Sequence, residues 1–188
     1  YGPNSMIYNM VIWAGADWNV DDMRNYWQEG KIGTQQIYAE YQRYNNPWFM
    51  VKEWLRPHYK NDVYGYLSLN WKVAKGVELM YRPGISTYNI FRQEKMPYSA
   101  GSYGRDERMG DYREDTRMFF EANNELQVKY NSKFFNNFLS VDGFVGGNVR
   151  TARYNGSFAS TDYLNIPGLY TLANSLRTPR IASIAAEG

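Results

Sequence analysis

Histidine and carboxylate side chains are the first candidates for catalytic residues, because both can donate and accept protons. The chain has a single histidine, His58. A metal site with two histidine ligands is therefore excluded, and the polar stretch Pro57-His58-Tyr59 is typical of a surface histidine. Glu121, Glu125 and Asp142 have the right side chains for acid–base catalysis, but alternation places all three on the polar face of two predicted strands.

Basic residues give a simpler account of these carboxylates. Lys129, Arg117 and Arg150 fall on the same polar face, so we expect ion pairs across neighbouring strands. The sequence therefore predicts no catalytic residue, and the chain is predicted not to be an enzyme.

Two further groups were considered as ligand sites. Gly143, Gly146 and Gly147 lie inside a strand pattern that no helix follows, which excludes a phosphate-binding loop. Calcium binds oxygen ligands such as aspartate carboxylates. The candidates are Asp106, Asp111 and Asp115, but their spacing fits no EF-hand. Cysteine is absent, which removes disulfides and thiolate ligands. The sequence predicts no cofactor and no metal.

The polar face belongs to a long alternating pattern between residues 113 and 150. From Met118 to Tyr130 apolar and polar residues alternate, which indicates a strand with one apolar face, and Asn124 is the polar exception on that face. A turn is expected at Asn131-Ser132-Lys133, after which alternation returns from Phe135 to Arg150. The hairpin arms exceed the usual length of about five or six residues. They are long enough to cross a bilayer.

The pattern occurs a second time between residues 62 and 88. Alternation from Val63 to Val73 is followed by a short turn at Ala74-Lys75-Gly76 and by a second arm, in which Pro83-Gly84 predicts a bulge or kink. Each hairpin has a short turn at one end and a long loop at the other, which is typical of outer-membrane barrels. Aromatic residues suited to an interfacial girdle gather near the short turns: Trp71, Tyr130, Phe134 and Phe135.

The composition agrees with a barrel wall or with an aromatic binding surface. The net charge of the 188 residues is +2 and no basic block is present, so nucleic acid is not a predicted partner. Aromatic residues make up 18% of the chain, which suits interfacial girdles or stacking surfaces for ligands. A mean hydropathy of −0.64 is compatible with a barrel, because barrel strands place half of their residues on a polar lumen.

The rest of the chain is predicted to form loops around the hairpins. Residues 1–61 are expected to be an extracellular loop region with a short helix that Asn19 caps and Gly30 ends. Two short strands are also expected there, at Gln36–Tyr44 and Trp48–Leu55. Barrel hairpins are predicted at 62–88 and 113–150. Extracellular loops are predicted at 89–112 and 151–188. The mixed charges of the first of these loops predict local ion pairs in a solvated segment.

Three sequence segments carry a resemblance to a known family. They are Tyr44-Asn45-Asn46-Pro47-Trp48-Phe49, Asp62-Val63-Tyr64-Gly65-Tyr66-Leu67-Ser68-Leu69 and Tyr163-Leu164-Asn165-Ile166-Pro167-Gly168-Leu169-Tyr170-Thr171-Leu172-Ala173-Asn174-Ser175. Their order and spacing fit, as do the shorter pieces Gly2-Pro3-Asn4, Trp13-Ala14-Gly15 and Tyr26-Trp27. Together they are spread from Gly2 to Ser175, along most of the chain, which resembles the SusC/RagA-type TonB-dependent outer-membrane transporters.

The resemblance implies an all-β fold: a segment of a transmembrane antiparallel β-barrel of about 22 strands with long extracellular loops. Four long strands cannot close a barrel, since the smallest has about eight. The chain is therefore expected to be a fragment of a longer polypeptide, with the plug domain absent from it. The partners implied are a SusD-type lipoprotein lid, the TonB complex acting through the missing part, and the lipid of a Gram-negative outer membrane.

The function implied by the resemblance is import of oligosaccharides together with the lid, and import of oligopeptides is the alternative within the family. Trp48, Tyr163 and Tyr170 lie in the family-like loop segments and are the predicted contacts to substrate or lid. A soluble, secreted all-β glycan-binding module is the rival from another class. The two architectures differ in where they place six apolar residues. A barrel exposes them to lipid, whereas a sandwich buries them against a second sheet. These residues are Leu67, Leu69, Phe120, Leu126, Leu139 and Val141.

Overall fold

The alternating segments form one sheet of six strands. The computed structural model describes residues 6–13, 19–39, 44–136 and 138–188. The strands are β1 (His58–Tyr66), β2 (Leu69–Ala74), β3 (Val77–Met96), β4 (Asp111–Phe134), β5 (Leu139–Leu164) and β6 (Ser175–Glu187). Their order is β1-β3-β4-β5-β6, with β2 also paired to β3. Strands dominate the described chain, which confirms the all-β class, and the sheet does not close on itself.

The helices are short and lie outside the sheet. They are α1 (Met6–Tyr8), a π-helical segment (Asn9–Trp13), a 3-10 helix (Val20–Arg24), α2 (Pro47–Lys52) and a 3-10 turn (Leu172–Asn174). Within the described ranges, no helix is long and apolar enough to span a membrane.

The chain divides into two compact units, which are treated separately below. Unit 1 comprises the described residues of Tyr1–Tyr59, Phe91–Thr116 and Ser157–Ser183. Unit 2 comprises those of Lys60–Ile90, Arg117–Gly156 and Ile184–Gly188. The loop and helical segments therefore belong to unit 1, and the short turns belong to unit 2.

The first short turn joins β2 to β3 where the sequence predicted it. The two strands are antiparallel down to the pair Ala74–Val77, which leaves Lys75 and Gly76 as the turn. Gly76 has a φ of +80°. A Cβ atom at this position would lie 2.5 Å from the carbonyl oxygen of Asn131. Glycine is therefore required here by both the backbone conformation and the close approach of a neighbouring strand.

Pro83 lies in a continuous strand, and the interruption in pairing is found in the neighbouring arm. β3 runs through Pro83 and Gly84 as one strand, whereas the neighbouring arm is divided into β1 and β2 at Leu67 and Ser68. Proline has no amide hydrogen to donate to a ladder, so only its carbonyl can pair. That carbonyl accepts a hydrogen bond from the Leu67 amide at 3.0 Å. The irregularity predicted at Pro83-Gly84 is thus located on the partner arm.

The second short turn lies later than predicted. Residues 131–133 belong to β4, and the Asn131 amide donates to the carbonyl oxygen of Gly76 at 2.7 Å. The chain reverses at Phe135 and Asn136, whose φ values are +52° and +53°. The prediction of a turn at 131–133 was wrong because polar residues suit the polar face of a strand as well as a turn.

Both segments predicted as long loops contain strand. β3 extends to Met96 and β4 begins at Asp111, so only residues 97–110 of the 89–112 segment connect strands. In the 151–188 segment β5 continues to Leu164, and β6 follows. The loop prediction was wrong there because a period of two continues through Ala152, Tyr154, Gly156 and Phe158, although small residues weaken it. Pairing also satisfies the backbone of this segment. Ala152, for example, exchanges two backbone hydrogen bonds with Gly188, at 2.6 and 2.9 Å.

The amino-terminal region has the predicted cap but a different helix. The Asn19 side chain accepts a hydrogen bond from the Asp21 amide at 3.1 Å. The helix that it caps is of the 3-10 type and ends at Arg24 rather than near Gly30. The family-like piece Gly2-Pro3-Asn4 and residues 14–15 lie outside the described residues.

The segment predicted as the strand Trp48–Leu55 is largely helical, which corrects that prediction. The Asn46 side chain caps α2 by accepting a hydrogen bond from the Trp48 amide at 2.9 Å, and Pro47 occupies the first helical position. In the predicted strand Gln36–Tyr44, residues 40–43 lie outside the described residues. Gln36 forms an isolated bridge with Trp27.

A small apolar core stabilises unit 1. Its buried members are Phe49, Met50, Trp54, Met96 and Ala100, with Tyr26 and Trp27 packed against them. The Trp27 and Phe49 rings meet edge to face, with centroids 5.3 Å apart. This core joins α2 to the end of β3.

A buried amide network fixes the loops around that core. The Gln36 side chain is completely buried. Its Nε2 donates to the Asn45 Oδ1 and to the Ser99 carbonyl, at 2.9 and 2.7 Å. Its Oε1 accepts from the Asn46 amide at 2.9 Å. Three chain segments are thus held by one side chain, because each buried polar group must find a partner.

On β4 of unit 2 the apolar face is more exposed than the polar face, whereas β1, β2 and residues 139–151 of β5 are exposed on both faces. Phe120 and Leu126 are 37% and 47% exposed on β4. The polar residues between them are more enclosed, since the side chains of Glu121 and Glu125 are only 23% and 17% exposed. Six residues that a sandwich would bury are all exposed: Leu67, Leu69, Phe120, Leu126, Leu139 and Val141. This order is the reverse of that in a soluble sandwich, whose apolar faces pack inward.

Candidate functional site

The three carboxylates first weighed as acid–base groups make polar contacts in unit 2. Glu121 accepts hydrogen bonds from Arg150 Nε and Nη2, at 2.9 and 2.5 Å. Glu125 accepts one from Arg82 Nε at 2.9 Å. Asp142 accepts one from an asparagine side chain of β4. The predicted ion pair of Glu121 with Arg150 is confirmed, whereas the cation bound to Glu125 comes from β3.

Trp48, a predicted substrate or lid contact, lies on α2 of unit 1. Its indole Nε1 donates a hydrogen bond to the carbonyl oxygen of Val20 at 2.7 Å. The guanidinium carbon of Arg24 lies 4.9 Å from the ring centroid. The ring is half-buried, and this cation–π contact already covers part of it.

Tyr163, the second predicted contact, is enclosed at the end of β5. It is 6% exposed and has a φ of +63°. The guanidinium carbon of Arg105 lies 3.9 Å from its ring centroid, and that of Arg177 lies 5.5 Å from it. The aromatic surface of Tyr163 is thus used to position two arginines.

Tyr170, the third predicted contact, is half-buried near Glu53. Burial, assisted by the negative charge of Glu53, raises the pKa of Tyr170 to about 12. The same carboxylate accepts a hydrogen bond from the Tyr26 hydroxyl at 2.8 Å. Burial and this bond raise the pKa of Tyr26 to about 12 as well. Trp48, Tyr163 and Tyr170 therefore have separate environments, and none of them lines the cavities described below.

The turn between Tyr163 and Tyr170 is held by one buried asparagine. Asn174 Oδ1 accepts a hydrogen bond from the Ile166 amide at 3.0 Å. Its Nδ2 donates to the carbonyl oxygens of Ile166 and Leu169, each at 2.8 Å. The apolar side chains of Ile166 and Leu169 are themselves exposed. A single side chain thus fixes a turn that presents apolar groups to its surroundings.

Charged residues gather on one surface of unit 1. Arg92 and Glu94 are two residues apart on β3, and Arg113 and Asp115 are two apart on β4, so each pair shares a face of its strand. With Phe158 of β5 they line a cavity of about 450 Å³, here called the mixed-charge cavity. Its other lining residues are Arg56, Pro57, His58, Gln93 and Glu114.

Glu94 organises the donors of the mixed-charge cavity. It accepts hydrogen bonds from Trp54 Nε1 and Arg56 Nε, each at 2.9 Å, and from Arg113 Nη1 at 3.3 Å. The guanidinium carbon of Arg56 also lies 4.9 Å from the Trp54 ring centroid. Glu94 thus holds three donors from separate parts of the chain, Trp54, Arg56 and Arg113, at this cavity.

A second cavity, of about 210 Å³, shares Arg113 and Phe158 with the first and is here called the arginine cavity. Its other lining residues are Gly104, Arg105, Asp111, Ser160, Thr161 and Arg180. Arg105 donates to Asp111 Oδ1 at 2.6 Å and to Asp162 Oδ1 at 2.9 Å. Burial by itself lowers the pKa of Arg105, but the bonds to these two carboxylates more than offset that effect and raise it. The guanidinium is therefore charged.

Asp111 anchors the wall of the arginine cavity. Besides Arg105, it accepts hydrogen bonds from the Tyr163 amide at 3.0 Å and from the Thr161 hydroxyl at 3.2 Å. Its carboxylate is almost completely buried. The aspartate first considered for calcium thus links β4 to the end of β5.

Sequence reasoning missed both cavities. Arg92, Glu94 and Arg113 were noticed only as members of a balanced set of charges, and Phe158 was not singled out. Their spacing of two was the available signal, because it places Arg92 with Glu94, and Arg113 with Asp115, on one face of a strand. The prediction of loop at residues 89–112 concealed that signal on β3.

Comparison of the chain with protein-family models and with curated proteins finds no match.

Proposed function

We propose that the chain forms part of the wall of an outer-membrane TonB-dependent transporter that imports oligosaccharides together with a SusD-type lipoprotein lid. The single observation that carries this proposal is the exposed apolar face of unit 2. Import of oligopeptides is the alternative within the same family. The lid, the TonB complex and the choice of substrate rest on the resemblance of the three loop and strand segments.

The order of exposure in unit 2 supports a lipid-facing surface. A sheet that leaves Phe120, Leu126 and Leu139 exposed while its glutamates are more enclosed is stable if lipid covers the apolar side. Water is a poor solvent for such a face, since exposed apolar area costs about 25 cal/mol per Å². An apolar environment therefore accounts for this face.

Aromatic residues at the short turns give further support. Trp71 and Phe135 are well exposed, at 69% and 78%, and Tyr130 and Phe134 are also exposed. Aromatic rings are favoured at the boundary between lipid and water, because their bodies are apolar and several carry a polar group. Their position at one end of the apolar face fits an interfacial girdle.

A pair of arginine substitutions on β5 tests the proposal. Val145 lies on the apolar face, and Asn148 lies on the polar face three residues later. Val145→Arg should destabilise the protein in lipid by about 2–4 kcal/mol, whereas Asn148→Arg should change its stability little. Chemical unfolding in lipid vesicles measures both values. Equal tolerance of the two substitutions would falsify the assigned faces.

Cell fractionation supplies an independent test. An antibody against the chain should detect it in the outer-membrane fraction, and detergent should be required to extract it. Recovery as a detergent-free monomer of 22.0 kDa would instead favour the soluble glycan-binding module.

A further inference from the structure

We propose that the arginine cavity and the adjoining Phe158 ring bind an oligosaccharide that carries anionic groups, either carboxylate or sulfate. This inference rests on the proposed function and names a substrate class for it. The arginine cavity would hold the anionic group, and the mixed-charge cavity would hold neighbouring neutral sugar.

The charge balance around the arginine cavity is the first observation. Three guanidinium groups and three carboxylates form one connected cluster of ion pairs with balanced charge. Its members are Arg56, Arg105, Arg113, Glu94, Asp111 and Asp162. Arg180 lines the cavity without an ion pair to a described residue, and its charge acts on Asp162 from nearby. Arg180 therefore adds one positive charge beside a balanced cluster.

The donors of the arginine cavity also exceed its acceptors. Arg105 Nε is buried and has no hydrogen-bond partner among the described residues. Both oxygens of Asp111 are occupied, one by Arg105 and the other by Arg113 at 3.8 Å. Ser160 adds a hydroxyl to the lining. An anionic oxygen is the acceptor that such a set lacks, and guanidinium groups bind carboxylate and sulfate oxygens through paired hydrogen bonds.

Phe158 explains why the anion should be carried on a sugar. Its ring is 40% exposed and lines both cavities. An exposed ring between two polar cavities offers an apolar platform for the face of a sugar, whose hydroxyl groups then reach the surrounding charged side chains. Glu114, Gln93 and Arg92 line the mixed-charge cavity with polar groups, and the Tyr112 hydroxyl already binds one atom of Glu114 and one of Gln93.

The size of each cavity agrees with this division. The arginine cavity, at about 210 Å³, accommodates one anionic group with part of its ring. The mixed-charge cavity, at about 450 Å³, has room for a further sugar unit. Its lining is balanced, with three arginines and three carboxylates, so it favours neutral polar groups over a second anion.

Binding to matched oligosaccharides tests the inference. We would measure by calorimetry the binding of the detergent-solubilised protein to three probes of equal length: a uronic-acid oligomer, a sulfated neutral oligomer and the unmodified neutral oligomer. At least one anionic probe should bind about tenfold or more tightly than the neutral one, and its affinity should fall as salt rises. The two anionic arms distinguish carboxylate from sulfate.

Two arginine variants locate the site. Arg180→Gln should remove the advantage of the anionic probe and leave the neutral probe unchanged. Arg153→Gln is the matched control, because Arg153 pairs with Glu187 and lines neither cavity, so it should bind all probes as the unmodified protein does. Equal binding of anionic and neutral probes, or an unchanged preference in Arg180→Gln, would overturn the inference. Tighter binding of an acidic peptide than of any oligosaccharide would also overturn it.

These outcomes are separate from failure of the proposed function. A protein that is embedded in the outer membrane but shows no preference for anionic probes leaves the transporter proposal standing and removes only this inference. A detergent-free soluble protein removes the transporter proposal, whatever its binding preference.

Discussion

The Tyr81 hydroxyl donates a hydrogen bond to Asn124 Oδ1 across β3 and β4, with 2.7 Å between the two oxygens. Asn124 is the one polar residue that the alternation of β4 places on the apolar face between Met118 and Tyr130. Both side chains are exposed on unit 2. In lipid this bond would satisfy an amide that has no water available to it.

Removal of the Tyr81 hydroxyl should therefore destabilise the protein in lipid. We expect Tyr81→Phe to cost about 0.5–1.5 kcal/mol, and Asn124→Leu to cost a similar amount because it leaves the Tyr81 hydroxyl without this acceptor. Once Asn124 is leucine, Tyr81→Phe should have little further effect. A double-mutant cycle by chemical unfolding in vesicles measures the coupling, and additive effects would contradict it.

The short turn between β2 and β3 should not tolerate a side chain. Gly76→Ala forces a φ of +80° on alanine and brings its Cβ within 2.5 Å of a carbonyl oxygen. We expect a loss of about 1–3 kcal/mol in unfolding free energy. Gly143→Ala is the control, because nothing lies within 4 Å of the added methyl group and the φ is ordinary. Similar stabilities for the two variants would show that the turn relaxes.

The buried amide network of unit 1 should respond strongly to loss of Gln36. Gln36→Leu leaves the buried Asn46 amide without its acceptor, whereas Asn45 Oδ1 keeps the Gly101 amide and the Ser99 carbonyl keeps the Tyr38 hydroxyl. Because a buried unsatisfied group costs about 1–3 kcal/mol, we expect a loss in that range. Gln35→Leu removes a single hydrogen bond of 3.2 Å and should have a much smaller effect. Thermal unfolding compares the two variants, and equal losses would argue against the network.

Stability should fall at high pH through two tyrosines that flank Glu53. The pKa values of Tyr26 and Tyr170 are raised from 10.0 to about 12 in the folded chain. The unfolded chain therefore loses these protons first, so their contribution is fully present below pH 10 and is lost as the pH rises through about 12. Unfolding measured across this range should show a steeper decline than in Tyr26→Phe. Identical pH profiles of stability for the two proteins would show that Tyr26 does not contribute to the decline.

The sequence was sufficient where alternation was strong. The apolar residues from Met118 to Tyr130 predicted most of β4, and Lys75-Gly76 predicted the turn before β3. Residues 151–160 were predicted as loop because small residues weaken their period of two, although backbone pairing with neighbouring strands makes them part of β5. Pairing is a property of the sheet and is not encoded in the composition of one segment.

The helix at Pro47–Lys52 shows a different limit. Asn46 and Pro47 provided a cap and a first helical residue, but the apolar run that follows is too short for its period to separate helix from strand. The two cavities could not be predicted from the sequence for a third reason. Arg56, Arg113 and Phe158 are distant in the sequence, and only the pairing of three strands brings them to one surface.

The hydrogen bonds of Asn174 have a consequence for the turn at residues 165–170. Because one buried amide already holds the backbone at Ile166 and Leu169, the turn loses little conformational freedom when another molecule contacts it. A molecule that contacted the turn would therefore meet a backbone that is already ordered. Replacing Asn174 would add the cost of ordering that backbone.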